Sequence, residues 1–236
     1  MNLAVHGLEG DIQQAITYYE DPHELLNKTD YLMANPPFNV DAIDADKIKN
    51  DPRLPFGLPG VNKKGKVSNG NYIWISYFYS YLNEKGRAGF VMSSQASSAG
   101  GGEAKVRQKL VETGDVDVMI AIRSNFFYTR SVPCELWFLN RDKSETHRDK
   151  ILMIDARNIY RKVTRKIYDF SPEQQQMLKV DFCGMQFNTP LVLLSGCVGF
   201  GEEYTRIEGF SNRDAGAICL KGTTLEPRLG NPAHRL

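Results

Sequence analysis

The sequence carries almost no net charge: 29 lysines and arginines against 28 aspartates and glutamates in 236 residues leave +1. That excludes a basic nucleic-acid-binding arm and an acidic tail, so any contact with a phosphate backbone comes from local patches or from a partner chain. Long apolar runs are lacking too. No stretch approaches the ~20 residues that span a bilayer, and Met1-Asn2-Leu3-Ala4-Val5-His6 has neither the charged start nor the apolar region of a secretory signal. Cysteine is sparse: Cys134, Cys183, Cys197 and Cys219 form no CxxC pair, which points to free thiols in a reducing compartment. A cytoplasmic location without membrane attachment is the expectation. His6, His23, His147 and His234 are scattered without ligand-like spacing, so no metal site is expected. What remains is an ordinary globular composition, 42% hydrophobic, long enough to bury the core of one large or two small domains.

Against this background one tetrapeptide stands out. Asn35-Pro36-Pro37-Phe38 directly follows the apolar run Tyr31-Leu32-Met33-Ala34. Each proline lacks a backbone N–H and biases the residue before it towards extended backbone, so the loop offers acceptors rather than donors. The Asn35 side-chain oxygen and the Pro36 carbonyl can accept from an NH2 group while Phe38 lies against the ring that bears it. The exocyclic amine of adenine is a poor nucleophile because its lone pair is delocalised into the ring. Two acceptors on its hydrogens favour a tetrahedral nitrogen that attacks an activated methyl group in line. An ordinary Asn-Pro turn is the alternative. Position favours function: a short buried-looking strand precedes the loop, and ligands of open α/β sheets sit at the carboxyl ends of strands.

Elements further along alternate between helix and strand. Residues 40–71 form a polar, Gly- and Pro-punctuated insertion containing Lys63, Lys64 and Lys66, either a solvated loop or a set of DNA phosphate contacts. Trp74, Ile75, Phe78, Tyr81 and Leu82 recur at helical spacing over 72–82, with Asn71 as the expected cap and Gly86 near the C-terminus. Strands are expected at 88–92, 116–122 and 134–139, the last two as a hairpin, and a helix at 103–113. The result is an α/β fold with a mostly parallel sheet and a terminal antiparallel hairpin. Gly100-Gly101-Gly102 opens a helix but lacks the spacing of a phosphate loop, and reads as a flexible connection. A strand at 151–156 leads to the basic stretch 158–166 and a helix capped by Ser171 that runs to about 180. From 182 onwards no period is sustained.

Together these segments resemble the methyltransferase subunit of type I restriction-modification systems, an adenine-specific DNA methyltransferase family. The likeness runs from Met1-Asn2-Leu3-Ala4-Val5-His6-Gly7-Leu8-Glu9-Gly10 through Asn35-Pro36-Pro37-Phe38-Asn39-Val40, Asp51-Pro52-Arg53-Leu54-Pro55-Phe56-Gly57 and Gly86-Arg87-Ala88-Gly89-Phe90-Val91-Met92 to Asn125-Phe126-Phe127-Tyr128. It continues through Leu136-Trp137-Phe138-Leu139 and Ile154-Asp155-Ala156-Arg157 to about 178. The resemblance implies a partial Rossmann-like, S-adenosylmethionine-dependent methyltransferase fold. It also implies that Asn35 and Pro36 hold the amino group of a flipped adenine, with Phe38 stacked on the base. Phe127 would pack its other face, with Phe126 as the competing assignment; either phenylalanine can instead be core. Partners implied are double-stranded DNA, a specificity subunit, a restriction subunit and a second methyltransferase subunit.

The family's cofactor loop, its ribose-binding carboxylate and a helical amino-terminal domain precede the segment matched here. The small polar residue expected near 15–17 to approach the cofactor's adenine is displaced, so cofactor-binding residues remain unassigned. The chain is expected to be the catalytic-motif half of a split or truncated subunit, inactive in isolation. Residues 1–157 would be the C-terminal part of the catalytic domain, 158–180 a helical extension, and 181–236 a tail that is an out-of-frame or foreign continuation. Two other readings stand beside this one: a methyltransferase for glutamine side chains or small amines, which commonly carries Asn-Pro-Pro-Tyr, and a catalytically dead remnant that only docks DNA or subunits.

Overall fold

A helix spanning Asn71–Tyr81 buries nine of its eleven residues, although nothing in its sequence segregates apolar from polar faces. A helix apolar all round needs cover on both sides, and the fold supplies it. Tyr72, Ile75 and Phe78 pack with Leu82, Phe90, Met92 and Trp137 on the sheet. Ile73, Tyr77 and Tyr81 face the other way, onto Ile43, Ala45, Ile48, Leu54 and Val67 of the insertion. The insertion is therefore a covering layer with its own small core.

The computed structural model describes residues 10–126, 131–165 and 167–177, followed by four short strand segments at 181–182, 185–186, 192–193 and 217–218. In chain order the main elements are β1 (Thr29–Ala34), β2 (Ile43–Asp44), α1 (Ala45–Ile48), β3 (Lys66–Val67), α2 (Asn71–Tyr81), β4 (Leu82–Ser93), α3 (Gln95–Ser98), α4 (Gly101–Glu112), β5 (Val116–Ile122), β6 (Cys134–Asn140), β7 (Leu152–Asp155), β8 (Arg161–Lys162), β9 (Tyr168–Asp169) and α5 (Pro172–Met177). Five of the strands form one sheet in the order β1-β4-β6-β5-β7. β1 runs parallel to β4 and β7 parallel to β5, while β6 is antiparallel to both β4 and β5. Four strands thus share a direction, as expected for a mostly parallel sheet, and the β5–β6 hairpin is present. The antiparallel strand lies inside the sheet, because β6 inserts between β4 and β5, and β7 extends the sheet beyond β5.

Several local expectations are corrected. Gly70 is the cap of α2, and Asn71 is the first helical residue, with its side chain turned elsewhere. Gly86 lies in an irregular stretch of β4, where a Cβ would meet the Thr29 carbonyl oxygen at 2.7 Å. Gly102 is no flexible spacer: a Cβ there would collide with the Pro59 carbonyl oxygen, so the start of α4 touches the insertion backbone to backbone. The expected helical extension over 158–180 is mostly not helical. β8 and β9 form a hairpin in which Arg161 stands opposite Asp169 and bonds its carboxylate at 2.7 and 2.9 Å. A cross-strand ion pair rewards the strand conformation of that basic stretch. Among the described residues of that range only α5 is helical, and its start is a capping box: the Ser171 N–H donates to Gln174 Oε1 (2.9 Å) and the Gln174 N–H to Ser171 Oγ (3.3 Å).

Candidate active site

β1 stops pairing at Ala34, opposite Phe90, because the two prolines that follow Asn35 have no N–H to give to the ladder. The chain leaves the sheet there with Pro36 buried and Asn35 and Pro37 exposed. Asn35 makes no side-chain hydrogen bond among the described residues, and the Pro36 carbonyl accepts none. Phe38 is half-buried and packs against the core on one side of the sheet and the smaller cluster on the other, so it rides over the sheet's end. Asn39 then takes a left-handed φ of 54°. Its N–H donates to Asn71 Oδ1 and its Oδ1 accepts from Asn71 Nδ2, both at 2.9 Å. Asn71 is 1% exposed, so this closed pair of amides ties the loop's exit to the first turn of α2.

The neighbouring strand ends complete the surroundings. Beyond β4, Ser97 Oγ donates to Glu135 Oε1 at 2.5 Å, and Trp137 Nε1 donates to Oε2 at 3.1 Å. Burial pushes the Glu135 carboxyl pKa up, against those two hydrogen bonds and the nearby Arg107. Beyond β5, the Arg123 guanidinium lies 3.9 Å from the ring centre of Tyr160 and 3.7 Å from that of Tyr168. Phe126, next in the same loop, is 3% exposed with its ring 4.4 Å from Phe170. Phe126 is therefore core, which removes it as a free face for a base; Phe127 lies outside the described residues. Of the insertion's lysines, Lys63 and Lys64 are exposed, whereas Lys66 is held by Asp44 at 2.7 Å.

Sequence reasoning singled out the Asn35–Phe38 loop and did not single out Arg123 and Glu135, which the structure brings to the same end of the sheet. Arg123 had one usable signal, a cation directly after an apolar strand that ends on the same side of the sheet as the loop. Glu135, inside the run Cys134-Glu135-Leu136-Trp137, is a charge in a buried strand and was equally visible.

For a nucleotide-type cofactor, β1 runs into two prolines rather than a glycine turn; of the glycines that open α4, Gly102 is taken up by the contact with Pro59, while nothing lies within 4 Å of where Gly100 or Gly101 would carry a Cβ. The site holds acceptors for an amine and a ring to stack on a planar group. Among the described residues no group of three or more His, Cys, Asp or Glu is placed to hold a metal ion, and no helix is long and apolar enough to cross a membrane.

The family model described as N-6 DNA Methylase matches residues 1–187, and a second model, dihydroorotate dehydrogenase, matches 177–236. A type I restriction enzyme methylase subunit of Methanocaldococcus jannaschii is 40% identical over 171 residues, covering 70% of this chain and 30% of that protein. A Haemophilus influenzae counterpart is 29% identical over 175 residues, covering 73% and 38%. The chain thus spans about a third of these relatives' length. The crystal structure of a type I restriction-modification methyltransferase subunit from Streptococcus thermophilus superposes with a TM-score of 0.62 at 22% identity, over 73% of this chain and 36% of that one; it shows the same fold. Over the tail, the catalytic subunit of a Caldicellulosiruptor bescii dihydroorotate dehydrogenase is 44% identical across 59 residues, 25% of this chain and 19% of that protein. Of the two expected origins for the tail, the match favours a foreign continuation: a shifted reading frame would resemble no family.

Proposed function

The chain belongs to the N-6 DNA methylase family, and on that footing we propose that it carries the base-binding half of an adenine-specific DNA methyltransferase whose methyl donor is S-adenosylmethionine. The observation that supports this is the unbonded Asn35 amide beside the buried Pro36 and the half-buried Phe38 at the end of β1. The Asn35 oxygen and the Pro36 carbonyl accept the two hydrogens of the adenine N6, and Phe38 stacks on the extruded base. Extrusion costs a few kcal/mol, which stacking worth ~1–3 kcal/mol per base helps to offset. The donor supplies an electrophilic methyl group. By analogy with the relatives named as type I methylase subunits, the chain works beside specificity and restriction subunits and a second methylase copy on duplex DNA. Asn35, Pro36, Pro37 and Phe38 form the catalytic loop, and Phe127 is the proposed second stacking face. Lys63 and Lys64 remain available for DNA, while Lys66 must first leave Asp44.

The test is methyl incorporation into duplex DNA by the assembled complex containing this chain. Asn35→Ala should lower turnover by ~10²–10³, the effect of removing one hydrogen bond made chiefly in the transition state, and leave duplex affinity within a few-fold. Near-normal methylation by that variant would refute the assignment.

A further inference from the structure

We propose that Arg123 binds a phosphate of the DNA backbone beside the extruded base; the proposal rests on the function stated above. Arg123 leaves β5 at the same end of the sheet as the Asn35–Phe38 loop, and Tyr168, which carries its guanidinium, packs against the same apolar cluster as Phe38. Its setting differs from that of the other cations on this surface. Arg157 is neutralised by both oxygens of Asp155, at 2.8 and 2.7 Å, and Arg161 by both oxygens of Asp169. The two carboxylates nearest in sequence to its aromatic partners are thus already committed. Arg123 makes no hydrogen bond or ion pair among the described residues, and its Nε is buried without an acceptor.

Desolvating a cationic donor without an acceptor is costly and rare in folded proteins. The two tyrosine rings, 5.1 Å apart and perpendicular, form a corner that holds the guanidinium plane. Cation–π contact offsets part of the burial and fixes direction, but it leaves the N–H donors unused. Only Nε is buried; the terminal N–H groups of the half-buried Arg123 stay accessible, a ligand with several anionic oxygens supplies them with acceptors, and guanidinium matches phosphate geometry better than ammonium does. The ligand chemistry follows from the position: next to a pocket for a flipped nucleotide, the anion at hand is that nucleotide's own backbone or its neighbour's.

The experiment measures duplex affinity of the assembled methyltransferase against salt concentration. One lost phosphate contact lowers the slope of log K against log salt by ~0.9 and weakens binding about tenfold at moderate salt. Arg123→Gln should show both, and Arg123→Lys should keep the slope while losing affinity. As a measurement that needs no variant, wild-type complex is titrated with duplexes bearing one neutral methylphosphonate at each linkage flanking the target adenine. One position should reproduce the slope change, and in Arg123→Gln that substitution should have no further effect. An unchanged slope in Arg123→Gln, or no sensitive linkage with wild type, overturns the proposal while methylation by wild type leaves the parent function standing. Failure of wild type to methylate adenine overturns both.

Discussion

The two ends of the sheet treat their polar groups differently. At the strand starts every buried charge among the described residues is answered, and the Thr29 hydroxyl at the start of β1 is the one buried side-chain polar atom there with no hydrogen-bond partner. Lys143, 8% exposed, donates to the carbonyls of Val116 and Lys150 at 2.9 and 2.6 Å. Arg141 donates to the Leu82 carbonyl, and Asp115 accepts from the Tyr79 hydroxyl at 2.9 Å. Arg53, 3% exposed, grips Asp51 and also donates to the carbonyls of Thr17 and Glu20 and to the Tyr81 hydroxyl. At the strand ends Asn35 and Arg123 are left without side-chain hydrogen-bond partners among the described residues. A polar cleft does exist at the starts, lined by Asn27, Asp30, Asn83, Glu84, Lys85 and Arg141, yet Asn83 there already donates to Asp30 at 2.6 Å. Satisfied groups stabilise a fold, while unsatisfied ones are where a ligand gains most.

Removing a cation from each end should expose that difference most strongly. Arg53→Met leaves the Asp51 carboxylate, 13% exposed, without its cation, a loss of about 2–3 kcal/mol after allowing for its partial exposure, and frees residues 17–20 from the insertion. Chemical denaturation of the complex should register it, whereas Arg123→Gln should leave the unfolding midpoint nearly unmoved. A large midpoint shift for Arg123→Gln and none for Arg53→Met would invert the contrast.

Phe38→Ala is the intermediate case. Losing a stacking ring should lower methylation of a paired adenine by roughly tenfold, and by less when the target is mismatched, since a mismatched base needs less energy to leave the stack. Equal losses on the two substrates would remove the stacking role.

The smallest effect is the pH response of Asp51. Burial tends to raise its carboxyl pKa, but hydrogen bonds from Arg53 outweigh that and hold it below the ordinary value. A carboxyl with a depressed folded pKa contributes stability that is full above the unfolded value, about 3.9, and is lost as pH falls through the folded one. Acid unfolding of wild type should therefore show this loss below about pH 4, and the limb should be shallower in Asp51→Asn. Identical acid limbs would show that the pair does not couple to folding.

Legibility in the sequence followed the range of the interactions. The strand-loop at Tyr31 to Phe38, the β5–β6 hairpin and the Ser171 cap rest on neighbours close in the chain, and patterns of period two or fixed cap spacing reported them. Asn71 was misplaced because its partner, Asn39, is 32 residues away. Gly86 and Gly102 looked like helix punctuation because their true constraints, the carbonyls of Thr29 and Pro59, are equally remote. The 158–166 stretch was read by charge alone, with no way to see that Asp169 would stand opposite Arg161. The open Asn35 amide was legible as chemistry, and its freedom only as structure.

The amide ring between Asn39 and Asn71 has a consequence for rate. Joining the loop's exit to the first turn of α2, itself buried between the sheet and the insertion, leaves the loop no low-energy way to swing without fraying that turn. Its ordering entropy is spent during folding, so an incoming base meets acceptors already in register. On the proposed function, the cost of extruding the base then falls on the DNA step being opened, and rates across duplexes should rank by the ease of unstacking at the target.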